Sequence, residues 1–245
     1  MRLLTYNIAY GTGPSDRLHK HIWSFSRHLR TNHQHLEEIT SFIDNLDPDI
    51  ITLIEVDTGS FRTKYLNQAK FIANSLSHEY VSSVKYHEKS FHIKMPFLKE
   101  QSNAILARKD LNFKEFHYFP VGMKRLIIEA EINNIAIFLV HLSLKKKNRL
   151  KQLEHLAKIV AKCNKPKIIT GDFNTFSGEK ELVELCKKLN LSNANKYNEK
   201  TFPAWNPRYE LDFFLCSNEI KIKKFAIPQI RLSDHMPILI DFKIK

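Results

Sequence analysis

The sequence predicts an α/β fold in which two β-sheets pack face to face and helices cover their outer surfaces. Roughly a dozen segments have the apolar or alternating pattern of short strands. Only four segments repeat their apolar residues at helical spacing, and that many strands are too many for one doubly wound sheet. Residues 49–54 are apolar at nearly every position, as expected for a strand that is buried on both faces. We therefore expect two packed sheets with helices outside.

The whole chain, residues 1–245, is predicted to form one domain. With 245 residues and 43% hydrophobic content, it can bury a substantial core. No segment rich in glycine, serine or proline separates two halves, and no repeat of fixed period is present. Length alone would also allow two domains.

The first half of the chain alternates strands and helices around a long basic segment. The first predicted strand covers residues 3–6 and ends at Asn7. The segment from there to His35 is rich in Arg, Lys and His and too irregular for a helix, so we predict a solvated loop that faces the substrate. A transition-metal site is the alternative for this segment, although its histidine spacings match no standard motif. The further predicted elements are a helix over 36–46, a strand over 49–54 that ends at Glu55, a helix over 66–76, a strand over 79–85, a basic loop, and a strand over 103–107 that opens at Asn103.

The second half begins with a three-stranded meander, in which Asn133-Asn134 has the composition of a tight hairpin turn. The predicted elements are strands over 113–119, 125–132 and 135–140, the last ending at His141, a helix over 150–161, a strand ending at Asp172, a helix around 182–185, and strands over 211–216, 220–227 and 237–242.

The cysteines and the start of the chain favour a cytoplasmic location. Cys163, Cys186 and Cys216 are odd in number and lack metal-ligand spacing, so reduced thiols are expected. The first residues lack the apolar core of a secretory signal, and no apolar run is predicted to span a bilayer. The formal charge of +12 favours a polyanionic partner, either nucleic acid or an anionic membrane surface.

Several predicted strands end, or begin, at a polar residue that suits phosphate chemistry. Asp172 and Asn174 follow a β-branched strand and a glycine, and side chains two apart in extended chain point the same way. If the strands pack side by side, their polar ends share one rim of carboxylates, carboxamides and imidazoles, which suits Mg²⁺ or Mn²⁺ and the hydrolysis of phosphate esters. These ends are Asn7, Glu55, His141, Asp172, Asn174, Asp212 and Ser233-Asp234-His235.

The same residues resemble the endonuclease/exonuclease/phosphatase superfamily of metal-dependent phosphoesterases. Its DNase I-like fold implies a four-layer α/β/β/α sandwich of two packed mixed β-sheets with helices outside. Seven motifs carry the resemblance in the right order over nearly the whole chain. They are Thr5-Tyr6-Asn7, Asp49-Ile50-Ile51-Thr52-Leu53-Ile54-Glu55, Ser102-Asn103-Ala104-Ile105-Leu106, Val140-His141-Leu142, Gly171-Asp172-Phe173-Asn174, Leu211-Asp212-Phe213 and Ser233-Asp234-His235.

The resemblance implies a role for each of these polar residues. Asn7, Glu55 and Asp234 would hold the metal. Asp172 would orient the attacking water, while Asn174 and Asn103 would contact the phosphate. His235 would face the scissile phosphate in an orientation fixed by Asp212, and His141 would bind a non-bridging oxygen or assist the leaving group.

The implied activity is hydrolysis of a phosphodiester by direct attack of an activated water, and the substrate remains open. Lys145 and Arg149 follow His141 closely and could bind a substrate that carries many phosphates, so nucleic acid is our first candidate. The Val140-His141-Leu142 form resembles phosphatase, sphingomyelinase and deadenylase branches, which keeps phospholipid, sphingomyelin or phosphoinositide as an alternative with peripheral membrane contact. A catalytically silent module that binds polyanions is the alternative of another class.

Overall fold

The structure, a computed structural model, describes residues 1–13, 31–84 and 100–245. Residues 14–30 of the predicted basic loop lie outside the described residues, and so do Lys85 and residues 86–99 of the second basic loop. The described residues form twelve β-strands and four α-helices, numbered below in chain order. Within them, no helix is long and apolar enough to cross a membrane.

The first sheet has six strands in the order β11-β12-β1-β2-β4-β3. They are β1 (Arg2–Asn7), β2 (Ile50–Asp57), β3 (Glu79–Val84), β4 (Gln101–Ala107), β11 (Ile220–Ala226) and β12 (Ile238–Ile244). The central pair β1 and β2 is parallel, with Asn7 opposite Ile54, and the other neighbours are antiparallel. The carboxyl ends of β1 and β2 therefore lie together at one edge of the sheet.

The second sheet repeats this plan with the order β5-β6-β7-β8-β10-β9. Its strands are β5 (Leu111–Tyr118), β6 (Leu126–Ile132), β7 (Ile135–His141), β8 (Lys167–Asp172), β9 (Leu191–Asn193) and β10 (Asp212–Ser217). The central pair β7 and β8 is parallel and ends with His141 opposite Asp172. Because β10 runs antiparallel to β8, its first residue, Asp212, also lies opposite Asp172.

Helices cover the outer face of each sheet, as predicted. They are α1 (His33–Leu46), α2 (Gln68–Ser75), α3 (Lys146–Val160) and α4 (Val183–Leu189). Leu36 and Ile72 of the first two helices pack on the first sheet, and Leu156 and Leu185 of the last two pack on the second. Face to face, the two sheets enclose a third apolar cluster. The predicted four-layer α/β/β/α sandwich is thus confirmed.

A short polar chain crosses this apolar layer. The hydroxyl group of Thr5 in β1 lies 2.7 Å from the hydroxyl groups of both Thr52 in β2 and Thr170 in β8. All three threonines are buried, so each hydroxyl needs a partner inside the protein. These bonds tie the two parallel pairs together just beneath the strand ends.

Most predicted elements are present with shifted ends. The prediction that the basic loop continues to His35 is wrong, because α1 already starts at His33. Asn32 caps that helix by accepting a hydrogen bond from the backbone N–H of Gln34, a start signal that the irregular pattern of basic residues obscured. The three-residue strand β9 was not predicted. The predicted Asn133-Asn134 hairpin turn is confirmed, and both residues have positive φ.

Gly171 allows the parallel strands β7 and β8 to approach each other at the site. Its φ of +137° is a conformation that other residues rarely adopt, and a Cβ atom there would lie 1.9 Å from the Val140 carbonyl oxygen. Val140 is its direct neighbour across the strand pair. A side chain at this position would therefore force β7 and β8 apart next to His141 and Asp172.

We expect Gly171→Ala to lower the free energy of unfolding by about 3 kcal/mol or more, because both the backbone conformation and the close contact are lost. Gly178→Ala is the matched control. It also has positive φ, but open space surrounds its Cβ position, so only about 1–2 kcal/mol of backbone strain is expected. Urea unfolding monitored by circular dichroism measures both losses. Equal losses would show that close packing at Gly171 is unimportant.

Candidate active site

The carboxyl ends of the two central strand pairs meet where the sheets come together. Asn7 at the end of β1 donates from Nδ2 to Oδ2 of Asp172 at the end of β8, over 3.2 Å. The Asn7 side-chain oxygen accepts a hydrogen bond from the backbone N–H of Ala9, which fixes the orientation of the amide. A direct hydrogen bond thus joins the two sheets at the predicted rim.

Asp172 is the centre of this group and is only 1% exposed. Its Oδ2 atom lies 3.1 Å from Nε2 of His141 and 3.9 Å from Nε2 of His235. Its Oδ1 atom accepts a hydrogen bond of 2.9 Å from the backbone N–H of Asn174. The Asn174 side chain donates to the carbonyl oxygen of Leu142 and so fastens the turn after β8 to the end of β7.

Burial raises the pKa of the Asp172 carboxyl, but the surrounding charges outweigh it. The imidazoles of His141 and His235, the hydrogen bond from His141 and the ammonium of Lys124 together hold the pKa well below its ordinary value. Asp172 therefore stays negatively charged at neutral pH although water is excluded from most of its surface.

Asp212 and His235 form a second pair beside Asp172. Nδ1 of His235 lies 2.9 Å from Oδ2 of Asp212, and the Thr201 hydroxyl donates to the same oxygen over 2.7 Å. Burial raises the pKa of Asp212. Burial lowers the pKa of His235, but the carboxylates of Asp212 and Asp172 prevail and raise it to about 10. The imidazole of His235 is therefore a cation at neutral pH, with Nε2 directed towards Asp172.

The loop before β10 holds this pair in place. Phe202 lies against His235 with 4.8 Å between the ring centres. The backbone N–H of Met236 donates to Thr201, and the backbone N–H of Ala204 donates to the carbonyl oxygen of Asp234. The Asp234 carboxylate accepts a hydrogen bond from the Ser233 hydroxyl. Asp234 directly precedes His235 in the sequence, and the loop before β10 anchors the segment that carries both residues.

Glu55 belongs to β2 and sits at an irregularity in the strand rather than after its end. The register between β2 and β4 shifts between Leu53 and Val56, and Glu55 has a φ of +57°. Its backbone N–H donates to Oδ1 of Asn103, and its Oε1 atom lies 3.9 Å from Nδ1 of His141. The bulge turns the Glu55 carboxylate towards the rim.

Four buried side-chain atoms lack a hydrogen-bond partner among the described residues, and two of these atoms belong to residues of the predicted site. They are Nδ2 of Asn103, which is a donor, and Oδ1 of Asp212, which is an acceptor. Buried polar atoms are normally paired in proteins. A buried donor and a buried acceptor without partners among the predicted site residues suit a site that binds a ligand.

The carboxylates here fit a hard divalent cation, whose preferred ligands are oxygen atoms. The predicted ligands would supply two carboxylates, from Glu55 and Asp234, and the side-chain amide oxygen of Asn7. Within the part of the chain that the structure describes, Asp172, Asp212 and His235 form a group that could hold a metal ion, with ligand atoms that lie within 4.8 Å of one another. The ligand set predicted from the sequence stays a prediction.

The two predicted substrate contacts after His141 differ in their surroundings. Lys145 is exposed and precedes the first residue of α3. The Arg149 side chain is only 3% exposed, and its guanidinium pairs with Glu181 at 2.8 Å while donating to the carbonyl oxygens of Ser143 and Leu144. Because these contacts use four of the five guanidinium N–H donors, the structure favours a structural role for Arg149 over the predicted substrate contact.

Sequence reasoning missed Lys124, which lies just before β6. Its ammonium contacts Nε2 of His141 and lies 3.8 Å from Oε1 of Glu55. The hairpin register places Ile127 opposite Val140, so counting back from the Asn133-Asn134 turn would have put Lys124 near His141. That signal was present in the sequence.

The chain matches a known protein family over nearly its whole length. The model of the Endonuclease/Exonuclease/phosphatase family matches residues 4–235. The chain belongs to this family. The family resemblance stated from the sequence is thereby confirmed. A search of curated proteins found no match.

Solved structures of this family have the same fold over the whole chain at low sequence identity. A family member from Bacteroides thetaiotaomicron has a TM-score of 0.73 at 15% identity and matches 100% of this chain and 98% of its own. The mannosyl-6-phosphatase of the same organism has a TM-score of 0.72 at 16% identity, with 100% of both chains matched. The human Nocturnin catalytic domain, solved with a bound sulfate anion, has a TM-score of 0.68 at 17% identity, with 100% of this chain and 93% of its own matched. At such identities the likeness establishes the fold alone.

Proposed function

We propose that the protein hydrolyses a phosphodiester by direct attack of water with the help of Mg²⁺ or Mn²⁺. The observation that carries the proposal is the pair of contacts at Asp172: a buried carboxylate that stays charged lies next to a cationic imidazole that is itself held by Asp212. Family membership and the fold support hydrolysis of a phosphate ester, since the structural neighbours include a phosphatase.

Asp172 is the residue best placed to orient the attacking water. Its low pKa makes it a weak proton acceptor in the resting state but a permanently charged hydrogen-bond acceptor. Asn7 and the backbone N–H of Asn174 hold the two carboxylate oxygens in fixed directions. A water bound to Asp172 would therefore present its lone pair to a phosphorus atom with little loss of orientation.

His235 would neutralise the charge that develops on the phosphate. Its Nδ1 atom is occupied by Asp212, so the proton on Nε2 remains for the substrate. His141 and Nδ2 of Asn103, a donor without a hydrogen-bond partner among the described residues, would bind non-bridging oxygens. A divalent cation held by the oxygens of Asn7, Glu55 and Asp234 would supply Lewis-acid stabilisation of the phosphate.

Nucleic acid is our first candidate for the substrate. Lys145, Lys146 and Lys147 are exposed at the start of α3, four to six residues after His141 in the sequence. A run of cations beside the reacting phosphate would bind neighbouring phosphates of a polymer. Phospholipid is the second candidate, because Leu144 is 60% exposed directly before these lysines and could enter a membrane surface.

The catalytic proposal predicts metal-dependent turnover that two substitutions abolish. We expect hydrolysis of bis(4-nitrophenyl) phosphate to stop in EDTA and to return with Mg²⁺ or Mn²⁺. Asp172→Ala and His235→Ala should each lower kcat by roughly 10²- to 10⁴-fold. Asp110→Asn, which removes an exposed carboxylate after β4, is the control and should leave kcat unchanged. Turnover that survives both EDTA and the two substitutions would refute the proposal.

The substrate proposal predicts that reversing three charges affects a polymer more than a small ester. In Lys145→Glu/Lys146→Glu/Lys147→Glu, cleavage of single-stranded DNA or RNA should fall far more than hydrolysis of bis(4-nitrophenyl) phosphate, because contacts to distant phosphates are lost. The wild-type rate on the polymer should also fall steeply as salt rises.

The control for this experiment is Lys221→Glu/Lys223→Glu/Lys224→Glu, which makes the same change of net charge on the edge strand β11. It should affect polymer cleavage much less. Sphingomyelin and phosphoinositide vesicles complete the panel. Turnover on the vesicles with none on nucleic acid would favour the phospholipid candidate, and metal binding without any turnover would favour a silent polyanion-binding module.

A further inference from the structure

Lys124 belongs to the loop between β5 and β6, and its side chain reaches the candidate active site. Its ammonium contacts Nε2 of His141, lies 3.8 Å from Oε1 of Glu55, and is close enough to Asp172 to lower the pKa of that carboxyl. The Lys124 side chain is 23% exposed, so it is only partly buried. Lys124 therefore lies near three residues of the proposed site, although it belongs to none of the motifs from which the site was predicted.

A buried glutamine fixes the backbone that carries Lys124. Gln152 of α3 is fully buried, and its Nε2 atom donates to the carbonyl oxygens of Lys124, over 2.8 Å, and Val121, over 3.0 Å. Its Oε1 atom accepts from the backbone N–H of Ser143, two residues after His141. One amide group therefore sets the distance between the Lys124 loop and the end of β7.

The rest of this loop is built around that amide. Gly122 has a φ of +91°, and a Cβ atom there would lie 2.9 Å from Nε2 of Gln152. Phe119 and Arg125 close the base of the loop, since the backbone N–H of Phe119 donates to the Arg125 carbonyl and Nε of Arg125 donates to the Phe119 carbonyl. Such an arrangement places Lys124 with little freedom in its backbone.

The ammonium keeps donors for a ligand. It has three N–H groups, and at most one of them can point to Nε2 of His141, which is its one contact of hydrogen-bond length among the described residues. The 3.8 Å separation from Glu55 is an ion pair without a hydrogen bond. An ammonium with open donors beside a site that would receive a phosphate is suited to an anionic oxygen.

We propose that Lys124 binds a non-bridging oxygen of the substrate's phosphate, and that Gln152 positions it for this contact. The inference rests on the proposed phosphodiester hydrolysis and adds a second cationic contact, next to Glu55 and His141, to the one proposed for His235. Gln152 does not contact the phosphate in this proposal and acts through the Lys124 loop, whose backbone carbonyls it binds.

The test compares Lys124→Met, which keeps the length but not the charge, with Lys124→Arg, which keeps the charge. Binding of inorganic phosphate is measured by calorimetry in Mg²⁺, and kcat and KM are measured with bis(4-nitrophenyl) phosphate. Lys124→Met should weaken phosphate binding and raise KM by roughly 10- to 100-fold, as for one charge-assisted hydrogen bond. Lys124→Arg should retain most of the affinity. Lys151→Met, an exposed lysine of α3, is the control and should change neither value.

A double-mutant cycle tests the positioning role. Gln152→Met should weaken phosphate binding in the wild-type background but have little further effect in Lys124→Met, because its effect passes through Lys124. Additive losses would assign Gln152 a merely structural role. Thermal melts identify any variant that fails to fold, and Lys124→Gln then replaces Lys124→Met.

The two proposals can fail separately. If the wild type binds phosphate but hydrolyses no diester, the proposed function fails while the phosphate measurement still tests Lys124. If Lys124→Met binds phosphate as tightly as the wild type, or if Lys151→Met loses as much affinity, the inference about Lys124 is wrong.

Discussion

The charge on Asp172 is the interaction on which the site depends, because a carboxylate at this depth is stable only among cations and hydrogen-bond donors. Those partners come from both sheets: Asn7 from the first, His141 from the second, and His235 from the segment before β12. Removing the contact from Asn7 would take away one of the hydrogen bonds that stabilise this buried charge. The packing of the two sheets and the charged state of Asp172 therefore support each other.

The paired architecture explains why the partners converge. Each sheet has one parallel pair at its centre, and the carboxyl ends of both pairs point to the same rim. The hydroxyl groups of Thr5, Thr52 and Thr170 join the two pairs just below that rim. Thr5 and Thr170 lie two residues before Asn7 and Asp172. Gly171 adds the close approach of β7 and β8 that puts His141 against Asp172. Only after these constraints are met can the loops around the rim select a substrate.

The strands and the helices followed from periodicity, because burial between two sheets selects continuous apolar runs such as residues 135–140. The rim residues followed because each marks the end, or the start, of such a run.

The start of α1 was missed since its cap, Asn32, lies within a basic stretch that hides the apolar spacing. The bulge at Glu55 was also missed, since a register shift depends on the partner strand rather than on local sequence. The pairing of Arg149 with Glu181 was not predicted either, since the two residues lie 32 positions apart in the sequence. Gln152 was equally hidden, since its partners at Val121 and Lys124 are backbone carbonyls that carry no sequence signal.

Anomalous diffraction from crystals soaked in Mn²⁺ is the measurement that most directly tests the proposed metal site. We expect a peak at the rim, about 2.0–2.3 Å from a carboxylate oxygen of Glu55 and within ligand distance of Asn7 or Asp234. The peak should disappear in Glu55→Gln and remain in Asp110→Asn. A peak held instead by Asp172, Asp212 and His235 would contradict the assigned ligands, and no peak at the rim at millimolar Mn²⁺ would contradict metal-dependent hydrolysis.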